Sequence, residues 1–415
     1  MQRSNTLESL DKLPRVRGIF TRCRDHPLLW LKLSVALLAL LSSGTGAAEL
    51  NIHVWYLSSP SESLTPLSPL DVPPQDSGVA GAVLGIKDNN TTGAFLGQRY
   101  HLSVTVAAAD EKLPLPSDAQ FVIADVSAEE LRALAGAHPQ VLFFNIGTED
   151  DSLRASDCAA NIFHVMPSRA MKADALAQYL AWKNWRRLFL VRGALPADLA
   201  WSESLRRAAK KFGLNIVAER VYEYEATSRR TDSGHMQIQK QLPAFVQGAP
   251  EHDAVIAADE SNVFADYMPY RLQLPRPVAG SAGLRPLAWH PASEQWGATQ
   301  LQRRFYKVAQ RWMHEHDYVA WLAVRVIGEL ITRQRPEIAP RDVLLSDNFS
   351  VAGFKGQALT FRPWNQQLRQ PLFLTDAKML VSVSPQPGFL HQRSQLDTMG
   401  FDQQESNCLL SSTNG

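Results

Sequence analysis

Apolar positions along the chain follow two rhythms that take turns. Short runs dense in β-branched and aromatic residues stand at Leu50 to Leu57, Tyr100 to Ala107, Phe121 to Val126, Val141 to Ile146, Ile162 to Val165, Arg187 to Val191, Leu214 to Glu219, Ala254 to Ala258 and Val278 to Ala279. Each is too short for a stable helix, so these read as strands. Between them apolar residues recur at helical spacing. Val79, Val83, Leu84 and Ile86 mark a helix from about Ser77, stopped by Asn89, Asn90 and Gly93. Further helices are predicted over Ala128 to Ala137, from the cap Ser168 to Trp182, over Ala200 to Phe212 with Gly213 closing it, and over Tyr318 to Thr332 with Asp317 as its cap. Strand-rich sequence from Ala358 to Val383 completes the globular part.

Alternation of strand and helix implies a parallel sheet with helices on both faces. The chain carries two such sets, each of a size normal for one domain, which predicts an α/β protein of two doubly wound parallel-sheet lobes with a cleft between them. Ligands of open parallel sheets bind beyond the carboxyl ends of the strands, so the residues just after each strand are the ones to watch. Gly78, Gly81 and Gly85 suggest close packing of the first helix on the sheet. They lie far beyond the strand end, behind a loop holding Pro60, Pro66, Pro69, Pro73 and Pro74, which argues against a nucleotide-binding turn.

Charge narrows the function classes. With 42 basic against 41 acidic residues the formal net charge is +1, which gives no electrostatic case for nucleic acid or an anionic membrane surface as partner. The N-terminal stretch stands apart. Arg15, Arg17, Arg22, Arg24 and Lys32 precede an apolar run from Leu33 to Leu41, followed by Ser42, Ser43, Gly44, Gly46, Ala47 and Ala48. That order reads as a secretory signal peptide over residues 1–48, cleaved after Ala48, and its apolar core is about half the ~20 residues of a spanning helix. Of three cysteines, Cys23 falls in the signal. Cys158 and Cys408 remain, and in an oxidising compartment they are expected to pair with each other, tying the tail at 386–415 to the middle of the chain. Two separate buried thiols are the alternative.

The order of elements, with quotable phrases, resembles the periplasmic substrate-binding proteins of ABC transporters, of the branched-chain amino acid type. Gly78 to Asn90 with Gly93 and Gly97 is similar to that family's first helix and the turn into its second strand, Tyr318 to Leu330 to its lobe-one helix, and Gly353 to Phe361 to its last hinge crossing. Asn89 to Gly93 with Phe95, Leu96 and Gly97, and Phe163 to Arg169, are similar to a subgroup associated with PQQ-dependent alcohol dehydrogenase systems. The resemblance implies a type I clamshell with a three-crossing hinge near Ile162 to Pro167, Leu284 to Pro291 and Phe354 to Arg362. Lobe one would hold residues 49–163 and 290–355, lobe two 164–289 and 356–385.

By the same resemblance the solute would touch Ser127, Gly147 and Thr148 in lobe one. In lobe two it would meet the stretches Asp198 to Trp201, Asp259 with Glu260, and Ser281 to Leu284. Amino-acid binders carry an acid near the last of these turns, where this chain has Ser281, Ala282, Gly283 and Leu284. A free amino acid is therefore a poor match. The strand ends instead carry Asp125, Glu149, Asp150, Asp151, Asp259 and Glu260. Collected at one cleft, these would favour a cation, a metal chelate or a hydroxyl-rich solute; otherwise they are helix caps and loop charges. Trp55, Tyr56, Ser58 and Ser59 offer either an aromatic wall or ordinary strand-end packing. His314, Glu315, His316 and Asp317 combine metal-ligand types, but histidines two apart on a helix do not share a face. No Gly-x-Ser-x-Gly elbow is present, and no nucleophile with a base is nominated.

The expectation is a non-enzymatic, monomeric solute receptor of the periplasm without a cofactor. It would capture a small solute linked to PQQ-dependent alcohol oxidation, a metal or metal chelate among the candidates, and deliver it to an inner-membrane ABC permease. An exported clamshell sensor that regulates a membrane partner is the alternative.

Overall fold

The computed structural model describes residues 49–59, 72–107, 113–223, 232–408 and 410. The predicted signal segment with Cys23, and most of the proline-rich loop, lie outside the described residues. In chain order the elements are β1 (Leu50–Ser58), α1 (Val79–Gly93), β2 (Gln98–Val106), β3 (Phe121–Asp125), α2 (Ala128–Ala137), β4 (Leu142–Asn145), α3 (Ser152–Ala155) and β5 (Ile162–His164). Next come α4 (Arg169–Trp182), β6 (Arg187–Gly193), α5 (Pro196–Lys211), β7 (Asn215–Tyr222), α6 (Asp232–Phe245), β8 (Ala254–Ala258), α7 (Met268–Arg271), β9 (Val278–Gly280) and β10 (Arg285–Leu287). The last set is α8 (Ala298–Ala309), α9 (Glu315–Arg333), α10 (Pro340–Leu345), β11 (Val351–Ala352), β12 (Ala358–Phe361), β13 (Leu368–Arg369), β14 (Leu372–Thr375) and β15 (Leu380–Ser384).

Two parallel sheets organise the chain, in the orders β2-β1-β3-β4-β5 and β7-β6-β8-β9. Helices cover both faces of the first, so its inner strands are apolar throughout: every residue of β4 is buried, as is every residue of β8 in the second sheet. The two-residue period decides which layer each side chain joins. Phe121 and Ile123 of β3 enter the core shared with α1 and α9, whereas Val122 and Ala124 enter the one shared with α2. In the second sheet, Leu188, Leu190 and Ile256 meet Ala173, Leu176 and Leu180 of α4 and Leu205 and Ala209 of α5. Two small antiparallel sheets, β10-β14-β15 and β11-β12-β13, complete the topology.

Three local differences from the sequence reading have physical causes. The glycines of α1 serve helix-to-helix packing rather than helix-to-sheet packing. A Cβ on Gly81 would stand 1.9 Å from the Asp317 carbonyl oxygen, and one on Gly85 would stand 2.7 Å from the Val324 side chain, both on α9. Helix α9 starts at Glu315, so Asp317 lies inside the first turn instead of capping it; its carboxylate accepts from the backbone N–H of His314 at 3.1 Å and of Gly78 at 3.0 Å. Helix α5 starts four residues early, because Pro196 at its first position needs no donor and presets φ.

The residues after β15 fold back along the molecule. Arg362, 1% exposed at its side chain, donates from Nε to Asp397 at 2.8 Å, and Arg369 donates to the same oxygen at 2.8 Å. Gly400 N–H donates to the fully buried Asp174 at 2.8 Å. Cys158 and Cys408, 250 positions apart, form a disulfide with their Cα atoms separated by 5.4 Å. Asp397→Ala removes the acid from a dry pair and leaves Arg362 charged and buried. The expected outcome in a denaturant titration is a loss of about 3–5 kcal/mol of stability.

Candidate functional site

At the carboxyl end of the first sheet, β1 delivers Tyr56 and Ser58 and β3 delivers Asp125. The Asp125 Oδ2 accepts from Tyr56 Oη at 2.9 Å and Ser58 Oγ at 3.2 Å, and lies 3.0 Å from Nε2 of His316 on the first turn of α9. Burial works against charge on Asp125, but the bonds from His316, Tyr56 and Ser58 together hold its pKa below the ordinary value. Burial likewise opposes charge on His316, yet Asp125 and the neighbouring acids hold its pKa above the ordinary value. Tyr56 is fully buried, so it serves as a strand-end anchor rather than an open aromatic wall.

The predicted lobe-one residues sit in two adjacent turns. Ser127 caps α2: its Oγ accepts from Glu130 N–H at 3.2 Å and donates to the Glu130 carboxylate at 2.8 Å. This is a capping box, and it leaves Ser127 exposed but locally engaged. Gly147 stands close enough to β3 that a Cβ would meet Val126 N at 2.6 Å. Thr148 is fixed through its backbone by Asn145, N–H to Oδ1 at 3.1 Å and Nδ2 to the Thr148 carbonyl at 2.8 Å. Asp150 accepts from Ser152 N–H at 2.8 Å and Ser152 Oγ at 2.6 Å, opening the short helix α3.

In the second sheet the acids are similarly occupied. The Asp259 carboxylate accepts from the N–H groups of Val263, Phe264 and Ala265 at 2.6–2.8 Å, holding the turn after β8. Ser281 Oγ accepts from Asp259 N–H at 2.9 Å. Trp201 is 6% exposed and belongs to the main core. Glu260 is the acid that reaches outward, and Arg169 holds it with two parallel bonds of 2.7 and 2.6 Å.

One helix start joins the two sheets. Arg169 and Lys172 lie one turn apart on α4, which Ser168 caps. Arg169 reaches the end of β8 through Glu260. Lys172 Nζ donates to Glu149, in the turn after β4, at 2.6 Å and to Glu315 on α9 at 2.9 Å. Ala170 N–H and Ser204 Oγ donate to Asp151 at 2.9 and 2.6 Å. Burial disfavours charge on Lys172, which is 8% exposed at its side chain, but its two carboxylate partners outweigh burial and raise its pKa. The seam is thus a mixed network in which cations and backbone donors engage the acids. Among the described residues no group of three His, Cys, Asp or Glu is placed to hold a metal ion.

Sequence reasoning named the acids of this seam but assigned no role to its two cations. The available signal was the pair of basic residues, three apart, behind the cap Ser168 at the first predicted crossing. The sequence gives no sign that Glu315 would meet Lys172, since 143 positions separate them.

No family model and no curated protein matches this sequence. Solved structures do resemble it in fold. An ABC transporter substrate-binding protein from Sphaerobacter thermophilus is 17% identical, with 85% of this chain and 100% of that one covered at a TM-score of 0.64. The leucine-, isoleucine-, valine-, threonine- and alanine-binding protein of Brucella ovis, in a closed conformation, is 16% identical over 79% of this chain and 89% of that one, TM-score 0.60. An ABC transporter solute-binding protein of R. palustris in complex with benzoate is 12% identical over 79% and 93%, TM-score 0.57. These neighbours share the type I periplasmic binding protein fold, two parallel-sheet lobes, with this chain.

The Asp125–His316 pair gives stability a defined pH dependence. The His316 contribution, from a raised pKa, is complete below its ordinary 6.5 and disappears as the pH rises through the elevated value. The Asp125 contribution, from a lowered pKa, is present above 3.8 and disappears as the pH falls through the depressed value. The thermal midpoint of the natural protein is therefore expected to exceed that of His316→Gln by most near ~pH 5–6, and the gap to shrink above neutrality. A gap independent of pH would mean that His316 acts only through packing.

Proposed function

We propose that this chain is the solute-binding component of an ABC importer, closing two lobes over a small solute at the seam centred on Arg169 and Lys172. The observation that carries the reading is the link from the end of β8 through Glu260, Arg169 and Lys172 to Glu149 after β4. The carboxyl ends of both parallel sheets, where open α/β sheets bind ligands, meet there. The proposal divides the chain as the resemblance implies, with 49–163 and 290–355 in one lobe and 164–289 and 356–385 in the other. Export to the periplasm by the signal segment and delivery to an inner-membrane permease belong to the same proposal.

The solute we propose is a small organic molecule bearing hydroxyl or carboxyl groups. The Thr148 hydroxyl accepts from Asp150 N–H at 3.2 Å and keeps its own proton for a solute, while Asp259 and Glu260 are engaged by N–H groups and by Arg169. That favours an organic solute over a free metal ion. The phrases from Asn89 to Gly97 and Phe163 to Arg169 support alcohols of PQQ-dependent oxidation, and the acids they yield, as first candidates. Benzoate bound to the R. palustris neighbour shows that a protein of this fold accepts a carboxylate.

Lobe closure works by population shift, since a solute that bridges both lobes stabilises the shut form selectively. Lys172 contributes to that form through two charge-assisted bonds, each worth about 1.5–3 kcal/mol. Thermal unfolding of residues 49–415 against alcohols, their acids, amino acids, PQQ, and calcium or lanthanide ions should reveal the solute class. At a hundred times its Kd a ligand stabilises by about 2.7 kcal/mol, a shift of a few degrees. Lys172→Met, assayed below its own unfolding transition because Glu149 and Glu315 lose their cation, is then expected to raise the Kd of that solute about ten-fold or more. Unchanged affinity in this variant would place the solute away from the seam.

A further inference from the structure

The segment from Ser394 to Cys408 is in contact with three parts of the molecule. One is the pair of helices of the second sheet. Gln178 of α4 donates to Thr398 Oγ1 at 2.9 Å, and Gly400 donates to Asp174. The Gly400 carbonyl accepts from Arg207 and Lys211 of α5 at 2.9 and 3.0 Å. Gly400 has φ +82°, and a Cβ there would stand 2.6 Å from Met171 Cγ, so the backbone lies directly on α4. Residues interleaved with these rest on the stretch between β12 and β13. Arg362 donates to the carbonyls of Leu396 and Met399 at 2.8 and 2.6 Å, and Trp364 donates to that of Phe401 at 3.1 Å. The end grips α3, beside the first sheet: Asn407 N–H donates to the Ala155 carbonyl at 2.7 Å, Ser406 Oγ to that of Arg154 at 3.0 Å, and Cys408 is bonded to Cys158.

What this end grips is the far side of the strand-end turn. Arg154, buried on α3, donates to the carbonyls of Thr148 at 3.1 Å and Asp150 at 2.6 Å, and to that of Met166, on the first predicted crossing, at 3.0 Å. The backbone carbonyl of the same residue accepts from Ser406 Oγ and Asn365 Nδ2. Hence one residue joins the turn that would meet a solute, the chain crossing, and the tail.

We propose that residues 394–408 form a strap across the hinge, locked by the Cys158–Cys408 disulfide, which limits how far the two lobes open and holds the Gly147 to Asp151 turn in order. With the disulfide formed, the strap is anchored to the second sheet's helices by hydrogen bonds and ion pairs and to α3 by a covalent bond. Separation of the lobes must then stop where the strap is taut. Reduction, two electrons and two protons from a dithiol giving two thiols, leaves only the Asn407 and Ser406 bonds on α3, which are weak enough to open with the lobes. The consequence for solute release rests on the reading of the seam given above; the range of opening does not.

The test needs no solute. The radius of gyration by small-angle X-ray scattering and amide hydrogen exchange are measured on the oxidised protein, on Cys408→Ser, and on the natural protein reduced with dithiothreitol. The expected result is a larger radius of gyration in both unlocked forms and exchange faster by about ten-fold or more across residues 147–155, with the interior of β6 and β8 unchanged. Identical scattering and identical exchange with the bond closed and open would overturn the proposal. So would global unfolding of both unlocked forms, because the disulfide would then hold the fold itself rather than the range of opening. Reduced natural protein keeps the test decisive if Cys408→Ser alone fails to fold.

Discussion

Burying Arg154 imposes a constraint that many of the neighbouring contacts satisfy. A guanidinium in the interior must place its donors on acceptors, or its desolvation makes the fold untenable. The side chain of Arg154 meets this with three main-chain carbonyls, those of Thr148, Asp150 and Met166, and with Gln367 Oε1 at 3.0 Å. Burial pulls its pKa down to about 10 against the pull of Asp151, Asp150 and Glu149, so it stays charged at neutral pH. The three acids remain in place around it. The strand-end turn after β4, the crossing after β5 and the segment before β13 are therefore positioned by a single cation, and the backbone of that residue receives the C-terminal tail.

The crossing after β5 is hydrogen-bonded to the residues that flank β13, at one point as a parallel strand pair would be. His164 N–H donates to the Gln366 carbonyl at 2.9 Å, Gln367 Nε2 donates to the carbonyls of His164 and Met166, both at 3.1 Å, and Gln370 Nε2 donates to that of Val165 at 2.8 Å. Three glutamines in five residues, each buried, satisfy backbone groups that leave one sheet before entering the other. Lys355 adds a buried amine bonded to Gln370 Oε1 at 2.7 Å and the Pro371 carbonyl at 3.0 Å, above the ring of Tyr318. Burial pushes its pKa far down. Its contacts are neutral oxygens and the faces of Tyr318 and Phe373, and the charge of Glu315 works against the effect of burial.

At the seam the same logic places opposite charges in contact. Lys172 brings together acids from two distant stretches, and Arg169 satisfies Glu260, so a protein of nearly zero net charge builds a compensated interface from residues that look like an excess of acid when read in order. The acids on the strand ends were legible because each follows a recognisable strand. Their partners were not, because the distance from Lys172 to Glu315 is set by how α9 returns to pack on α1.

The sequence alone determined the class of fold. The strand and helix periods marked out most elements, and full burial on both faces of a parallel strand leaves an unmistakable apolar run such as Val141 to Phe144. It also identified the residues after each strand as the place to look. Tertiary structure decided what those residues do. Asp259 became the anchor of a turn, Trp201 a core residue, Ser127 half of a capping box and Asp317 an internal partner of α1, because each depends on which distant N–H or cation arrives beside it. The helix Ala298–Ala309 escaped notice although Ala298, Leu301, Phe305 and Val308 recur at helical spacing; what only the fold supplies is the surface of α1 that this stripe covers. Local pattern is fixed by neighbours in the chain, whereas the occupancy of a donor or acceptor is fixed by neighbours in space.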